Sequence, residues 1–208
     1  MVNLKTLFAA AFIFALGGCM SPTYEFNFKS DGTVEEDLEI RISRDVWDMP
    51  FFDKSSACED MEITQSGRDI ICTDPTEFHG LDHIYAVASS KDPILEAQFF
   101  PVQVTKVDDN SARVQVGFKN LAATIQGQPG LALSYAMVPN KNLFRNQNFT
   151  FKFSGAEIID TNGVVSADGQ TVTVSIPLVD VFEDTVRQPD FYATVVHRKC
   201  RFFGLFCG

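Results

Sequence analysis

The sequence lacks the markers by which most enzymes can be recognised. It has three histidines, and it contains no Gly-x-Ser-x-Gly elbow, phosphate-binding loop, dinucleotide fingerprint or Ser-x-x-Lys motif. Acyl transfer and nucleotide chemistry use these motifs to place a nucleophile or to cradle a phosphate. We therefore expect no enzymatic activity and no resident cofactor.

Positive charge is scarce as well. The 208 residues include 17 lysines and arginines against 27 aspartates and glutamates, which gives a net charge of -10. Nucleic-acid binding depends on basic residues that replace the counterions of the phosphate backbone. The charge balance therefore excludes nucleic acid as an expected partner, while the 45% of hydrophobic residues is typical of a folded globular chain.

Long hydrophobic runs are also absent. The most apolar stretch, residues 7–16, has 10 residues, about half of the roughly 20 that a transmembrane helix needs. It follows Lys5 and precedes a Gly-Gly-Cys sequence, which is the three-part order of a secretory signal peptide. We expect residues 1–18 to be a cleaved signal peptide and residues 19–208 to form the mature protein.

Leu16, Gly17, Gly18 and Cys19 resemble the lipobox of bacterial lipoproteins, in which a lipid is attached to the cysteine. The alternative is an ordinary signal peptide with a chance cysteine, although an exposed free thiol is a liability in an oxidising compartment. The resemblance implies that Cys19 carries diacylglycerol and a fatty acid such as palmitate, which anchor the protein to the membrane. Aspartate after the cysteine favours inner-membrane retention, so Met20 implies an outer-membrane lipoprotein that faces the periplasm.

Four further cysteines, Cys58, Cys72, Cys200 and Cys207, are an even number in an exported chain and allow three disulfide pairings. We favour Cys58 with Cys72, because residues 61–71 read as two short strands around a Ser-Gly turn. Cys200 with Cys207 would close a small terminal loop. Metal binding by these cysteines is the rival interpretation, but the chain has no Cys-x-x-Cys pair.

Apolar and polar residues alternate with a period of two through most of the chain. Turn residues such as Asp31-Gly32, Asp108-Asp109-Asn110 and Asp168-Gly169 separate the alternating segments, which is typical of β-hairpins. Residues 191–196 are enriched in β-branched residues, as in a buried strand. The alternating apolar positions are Tyr24, Phe26, Phe28, Leu38, Ile40, Ile42, Val102, Val104, Ala112, Val114, Val116, Phe118, Phe149, Phe151, Phe153, Val172, Val174 and Ile176.

Helical patterns are few. Residues 79–90 could form one short helix, and residues 120–136 could form another around a glycine-rich interruption. No linker rich in Pro, Gly or Ser divides the mature chain. The sequence thus predicts a single α+β domain, mainly antiparallel β, with a curved sheet built from hairpins and one or two short helices.

Several segments are similar to the LppM-like domain of bacterial lipoproteins. The similarity lies in the lipobox cysteine followed closely by a strand, in Ser30-Asp31-Gly32-Thr33-Val34, and in three later segments, residues 151–155, 162–163 and 168–174. It implies an α+β domain with a curved antiparallel sheet. It also implies a role in handling a lipid or a lipid-linked glycan at the cell envelope.

Two histidines raise the question of a metal site. His79 and His83 have the i, i+4 spacing that places two imidazoles on one helix face, with Glu77 or His197 as a third ligand. However, Gly80 lies between them, and histidines near a helix start are more often solvated. We predict no metal site here, and we interpret Asp108-Asp109-Asn110 as a turn rather than as a Ca²⁺ site.

The C-terminal segment offers a possible apolar contact through Phe202, Phe203, Leu205 and Phe206. These residues either fold back onto the sheet or contact lipid or a partner protein. Two functions follow from the sequence. The first is a membrane-anchored envelope lipoprotein whose Phe-rich domain binds a lipid or another apolar envelope ligand, and the alternative is a structural or assembly lipoprotein that docks onto another envelope protein.

Overall fold

A long β-hairpin at the N-terminus lies at the centre of the fold. The computed structural model describes residues 20–48, 54, 58, 60–88, 101–126, 147–183, 185–198, 200–201 and 206–207. In the hairpin, β1 (Met20–Phe28) pairs antiparallel with β2 (Thr33–Ser43), and Phe28 lies opposite Val34. Gly32 has a positive φ of 84°, and Asp31 Oδ1 accepts a hydrogen bond of 2.9 Å from the Thr33 N–H. This Asp-Gly turn is the one that the sequence predicts.

In the described part of the chain, the larger sheet has eight strands. Their order is β10-β11-β8-β1-β2-β4-β3, and β5 also pairs with β2. Every described pairing is antiparallel except that of β1 with β8. The additional strands are β3 (Glu62–Ser66), β4 (Asp69–Thr73), β5 (Glu77–Gly80), β8 (Asn148–Ser154), β10 (Val164–Val165) and β11 (Thr171–Pro177).

A second sheet has the strand order β6-β7-β12-β9. Buried and exposed residues do not alternate strictly in β12, where four of six residues are buried. The strands are β6 (Val102–Lys106), β7 (Ser111–Val116), β9 (Glu157–Thr161) and β12 (Phe191–Val196). A two-stranded ladder joins β13 (Cys200–Arg201) to β14 (Phe206–Cys207).

Four short helices lie within the described ranges: α1 (Arg44–Trp47), α2 (Leu81–Ala88), α3 (Phe118–Gln126) and α4 (Leu178–Glu183). The α+β class with mainly antiparallel strands is confirmed. Helix α2 falls inside the predicted residues 79–90, and α3 begins two residues before the predicted residue 120, while residues 127–136 lie outside the described residues. The sequence predicts one or two helices; α1 and α4 add two that are too short to show a helical period.

The main hydrophobic core takes side chains from both sheets and from α2, α3 and α4. The rings of Phe26 and Phe153 stack with centroids 5.4 Å apart, and Phe153 also stacks on Phe191 of the second sheet at 5.4 Å. All three residues are buried. This row of rings therefore joins the two sheets.

A smaller cluster lies at the other end of the first hairpin. It contains Leu38, Ile40, Ile42, Val46, Ile70 and the disulfide between Cys58 and Cys72, whose Cα atoms are 5.7 Å apart. The predicted Cys58–Cys72 bond and its β3–β4 hairpin are thus confirmed, with Gly67 at the turn.

The C-terminal predictions are only partly within the described residues. Cys200 and Cys207 are register partners in the β13–β14 ladder, and their disulfide stays a prediction. Phe202, Phe203 and Leu205 lie outside the described residues, and for Phe206 only the strand assignment is described. No described helix is both long enough and apolar enough to cross a bilayer.

Candidate functional site

A polar cleft of about 230 Å³ opens where four distant segments meet. These segments are the β1–β2 turn, the junction of β5 with α2, the β6–β7 turn, and the residues that follow β12. The cleft is lined by Asp31, Gly32, Gly80, Leu81, Asp82, Tyr85, Lys106, Asp108, Asp109, His197 and Arg198. Ligand pockets commonly form where several elements end together.

Hydrogen bonds to backbone carbonyl groups hold these segments in place. The Leu81 N–H donates to the Gly32 carbonyl at 2.9 Å, which fixes the start of α2 against the first turn. The His197 N–H donates to the Asn110 carbonyl at 2.9 Å, and the Arg198 Nε donates to the Ser30 carbonyl at 2.9 Å. The cleft is therefore bounded by segments that are tied to one another.

Two buried polar groups at the cleft have no hydrogen-bond partner among the described residues. They are the Nδ1 atom of His197, a residue that is 6% exposed, and the hydroxyl of Tyr85. Most buried polar side-chain atoms in native proteins are hydrogen-bonded, and leaving such an atom without a partner costs about 1–3 kcal/mol. Because both residues line the same cleft, a ligand or an ordered water there would satisfy them.

The electrostatics of the cleft keep His197 and Tyr85 uncharged at neutral pH, and acidic residues lie beside them. Burial lowers the pKa of His197, the charge of Arg198 adds to this effect, and Asp108 opposes it. Burial likewise raises the pKa of Tyr85, with further contributions from Asp82 and Asp108. At neutral pH the imidazole and the phenol are both uncharged, so they suit recognition of a polar group better than proton transfer.

The Asp108-Asp109-Asn110 segment is a turn, as predicted. The Asn110 N–H donates to Asp108 Oδ1 at 2.8 Å, and Lys106 forms an ion pair of 2.6 Å with Asp109. The hydrogen bond from the Asn110 N–H lowers the pKa of Asp108, and a bond from the Ser111 side chain adds to this effect. The two carboxylates are thus engaged by the turn and its lysine.

A second polar cluster lies on the inner face of the larger sheet, between the two hydrophobic clusters. His79 Nε2 is 3.2 Å from Glu36 Oε2 and 3.5 Å from Glu77 Oε2. His79 is 8% exposed, and the three ligating atoms lie within 4.8 Å of one another. Glu36 occupies the core-facing side of β2, between buried Val34 and Leu38.

The helix-face argument for a His79–His83 pair is wrong. Helix α2 begins at Leu81, so His79 belongs to strand β5, whereas His83 is exposed on the helix. Strand geometry instead places Glu77 on the same face as His79, because residues i and i+2 share a face. Of the two third ligands that the sequence offers, Glu77 lies beside His79, whereas His197 lies at the polar cleft.

Sequence reasoning missed two residues of these two sites, Glu36 and Tyr85. Glu36 could have been found by extending the alternation of Leu38, Ile40 and Ile42 back to Val34, because the period-two pattern then meets a glutamate at a core position. Tyr85 falls within the helix predicted over residues 79–90, and nothing in the sequence shows that its hydroxyl is buried without a partner.

Similarity to a known protein is found in the structure and not in the sequence. No family model and no curated protein matches the chain. A structure search finds similarity to the folded domain of LppM from Mycobacterium tuberculosis, solved by NMR, with a TM-score of 0.45 and 10% identity. The match covers 87% of this chain and 91% of that chain.

Proposed function

We propose that this chain is a bacterial envelope lipoprotein, anchored in the membrane by acyl chains on Cys19, whose domain binds an envelope ligand at the polar cleft. The observation that carries the proposal is the pair of buried groups without partners, His197 Nδ1 and the Tyr85 hydroxyl, at one cavity. A ligand that offers a donor and an acceptor there would remove the cost of leaving them unpaired.

The position of the cleft relative to Cys19 supports a ligand that is presented away from the bilayer. Strand β1 begins at Met20, directly after Cys19, and the cleft includes Asp31 and Gly32 at the opposite end of the hairpin. Nine strand residues span roughly 30 Å at about 3.3 Å each. Met20, which follows the proposed anchor residue in the sequence, is therefore remote from the cleft along the first hairpin.

Most phenylalanines whose burial the structure describes lie in the core rather than along a groove. Phe26, Phe28, Phe149, Phe151, Phe153 and Phe191 are all buried in the main core. Their contribution is to stability, so they are not free to line a groove. A lipid ligand would accordingly place its polar headgroup in the cleft. The Phe-rich interpretation of the sequence would instead place the acyl chains in the domain.

Tyr85→Phe tests the proposal because it should change stability and binding in opposite directions. Removing a buried hydroxyl that has no partner should raise the free energy of unfolding of the empty protein by about 1 kcal/mol. The same change should reduce the amount of ligand that is retained through purification from the native envelope, as measured by native mass spectrometry and lipid extraction. Tyr192→Phe, on β12 and outside the cleft lining, is the control.

Two results would contradict the proposal. One is a wild-type protein that carries no small molecule from its own envelope and binds none from an extract of it. The other is a bound molecule that Tyr85→Phe and Tyr192→Phe retain equally. Failure of palmitate labelling, or labelling that survives Cys19→Ser, would refute the anchor separately.

The alternative, an assembly protein that docks onto another envelope protein, is favoured by one observation. The edge strand β3 has five exposed residues, and among them Ile63 is 51% exposed. Unpaired edge strands can add a strand from a partner. Under this alternative, Ile63→Asp should abolish recovery of one defined partner in cross-linking from the native envelope, while the cleft stays empty.

A further inference from the structure

We propose that Glu36, Glu77 and His79 form a binding site for a divalent transition-metal ion of the Zn²⁺ class. The site lies on the inner face of the larger sheet, and it does not depend on the ligand proposed for the cleft. The argument rests on the strand register, on the distances between the three side chains and on the charges around them.

The register places two like charges directly opposite each other. In the antiparallel β2–β5 ladder, Glu36 is paired with Glu77, and His79 is paired with Val34. Like charges at directly opposite positions destabilise a sheet. Here the pair also faces inward, because Val34 and Leu38 on the same side of β2 are buried. A cation between the two carboxylates would turn this repulsion into attraction.

The distances between the side chains suit a shared metal ion. Zn²⁺ takes nitrogen and oxygen ligands at about 2.0–2.2 Å, and tetrahedral geometry then separates two ligands by roughly 3.3–3.5 Å. His79 Nε2 lies 3.2 Å from Glu36 Oε2 and 3.5 Å from Glu77 Oε2. Only small movements of the three side chains are therefore needed to bind the ion, with water at the remaining position.

The surroundings are acidic. In the described residues, no lysine or arginine forms an ion pair with Glu36 or Glu77. Burial raises the pKa of Asp74, and the nearby charges of Glu77 and Glu36 raise it further. Burial also raises the pKa of Tyr24, again with a contribution from Glu36. This excess of negative charge would attract a divalent cation.

A proton on His79 is the competing occupant of the same position. A protonated imidazole would also bridge the two carboxylates, and neutral imidazole is the form that ligates a metal. The two cases differ in what an experiment measures: a metal gives a stoichiometric uptake of the ion, whereas a proton gives none.

The test uses the full mature lipoprotein in detergent, stripped of metal with EDTA and titrated with ZnCl2. We expect one ion per chain by calorimetry and a higher Tm in the presence of zinc. Glu36→Gln, which is isosteric, should weaken zinc binding by at least about tenfold, and His79→Ala should do the same. His83→Ala removes an exposed histidine outside the cluster and is the matched control.

A second measurement keeps the test decisive if His79→Ala fails to fold. The absorption spectrum of the Co²⁺-substituted wild type reports the coordination directly, and Glu36→Gln should change it while His83→Ala should not. Absence of stoichiometric zinc uptake at neutral pH would overturn the proposal in favour of a proton. Equal binding in the wild type and in Glu36→Gln, or loss of binding in His83→Ala, would also overturn it.

Discussion

The ring of Phe153 is the best place to test whether the two sheets form one cooperative unit. It is fully buried in β8 and stacks on Phe26 of the same sheet and on Phe191 of the other sheet. Phe153→Leu keeps an apolar side chain and removes both stacked contacts. Each stacked pair contributes about 0.5–1.5 kcal/mol beyond area burial, so the expected loss is about 2 kcal/mol.

The assay combines two probes of urea unfolding. Far-UV circular dichroism follows both sheets, while the fluorescence of Trp47, the single tryptophan, follows the smaller cluster around the disulfide. A single domain of residues 19–208 predicts that the two curves coincide, in the wild type and in Phe153→Leu. In thermal unfolding, the Tm of Phe153→Leu should be roughly 4–8 °C lower than that of the wild type, since about 1 kcal/mol corresponds to about 2–4 °C for a chain of this size.

Phe78→Leu is the matched control, because Phe78 is 66% exposed on β5 and its replacement should change stability by less than about 0.5 kcal/mol. The reasoning is refuted if Phe153→Leu is as mild as this control. It is also refuted if the dichroism curve shifts while the Trp47 curve stays in place, since the main core would then unfold independently of the smaller cluster.

Three further predictions follow from packing and charge. Replacing Cys58 and Cys72 by alanine opens a loop with a sequence separation of 14, which should cost about 3 kcal/mol in the urea midpoint analysis; an unchanged midpoint would contradict it. Gly155→Ala should lower the Tm, because its new methyl group would lie 2.8 Å from a backbone oxygen, whereas Gly80→Ala meets nothing within 4 Å and should not. The raised pKa of Asp74 means that its carboxylate destabilises the folded state as the pH rises through that pKa. Asp74→Asn should therefore raise the Tm at pH 7, and this gain should vanish as the pH falls below the ordinary aspartate value; a gain independent of pH would refute it.

The elements that sequence reasoning identified correctly are the ones whose information is local. Asp31 and Gly32 separate two alternating segments, so the β1–β2 hairpin and its inward face follow from the residues themselves. The Cys58–Cys72 bond is local in the same way, because the chain between the two cysteines forms β3, the turn at Gly67 and the first part of β4.

What could not be predicted depends on contacts between distant segments. The parallel pairing of Tyr24 with Phe151 joins strands that alternate in the same way as other strands of the sheet, such as β11, so nothing in their patterns singles them out as neighbours. The cleft presents the same difficulty. Tyr85 and His197 come together only because the ends of both sheets meet, and the spacing of these residues in the sequence does not indicate that they are neighbours.

The parallel pairing sets an order of events for the newly made chain. Among the described strands, β1 comes first in the chain and lies in the middle of the larger sheet, and the hydrogen bond from Ser21 to Gln147 spans 126 positions. Until β8 arrives, one edge of β1 lacks its partner, and Phe26 lacks the ring of Phe153 that will cover it. Closing such a contact is slow, and an open apolar edge invites self-association in the meantime. Fragments that end before Asn148 should accumulate as aggregates rather than as soluble intermediates.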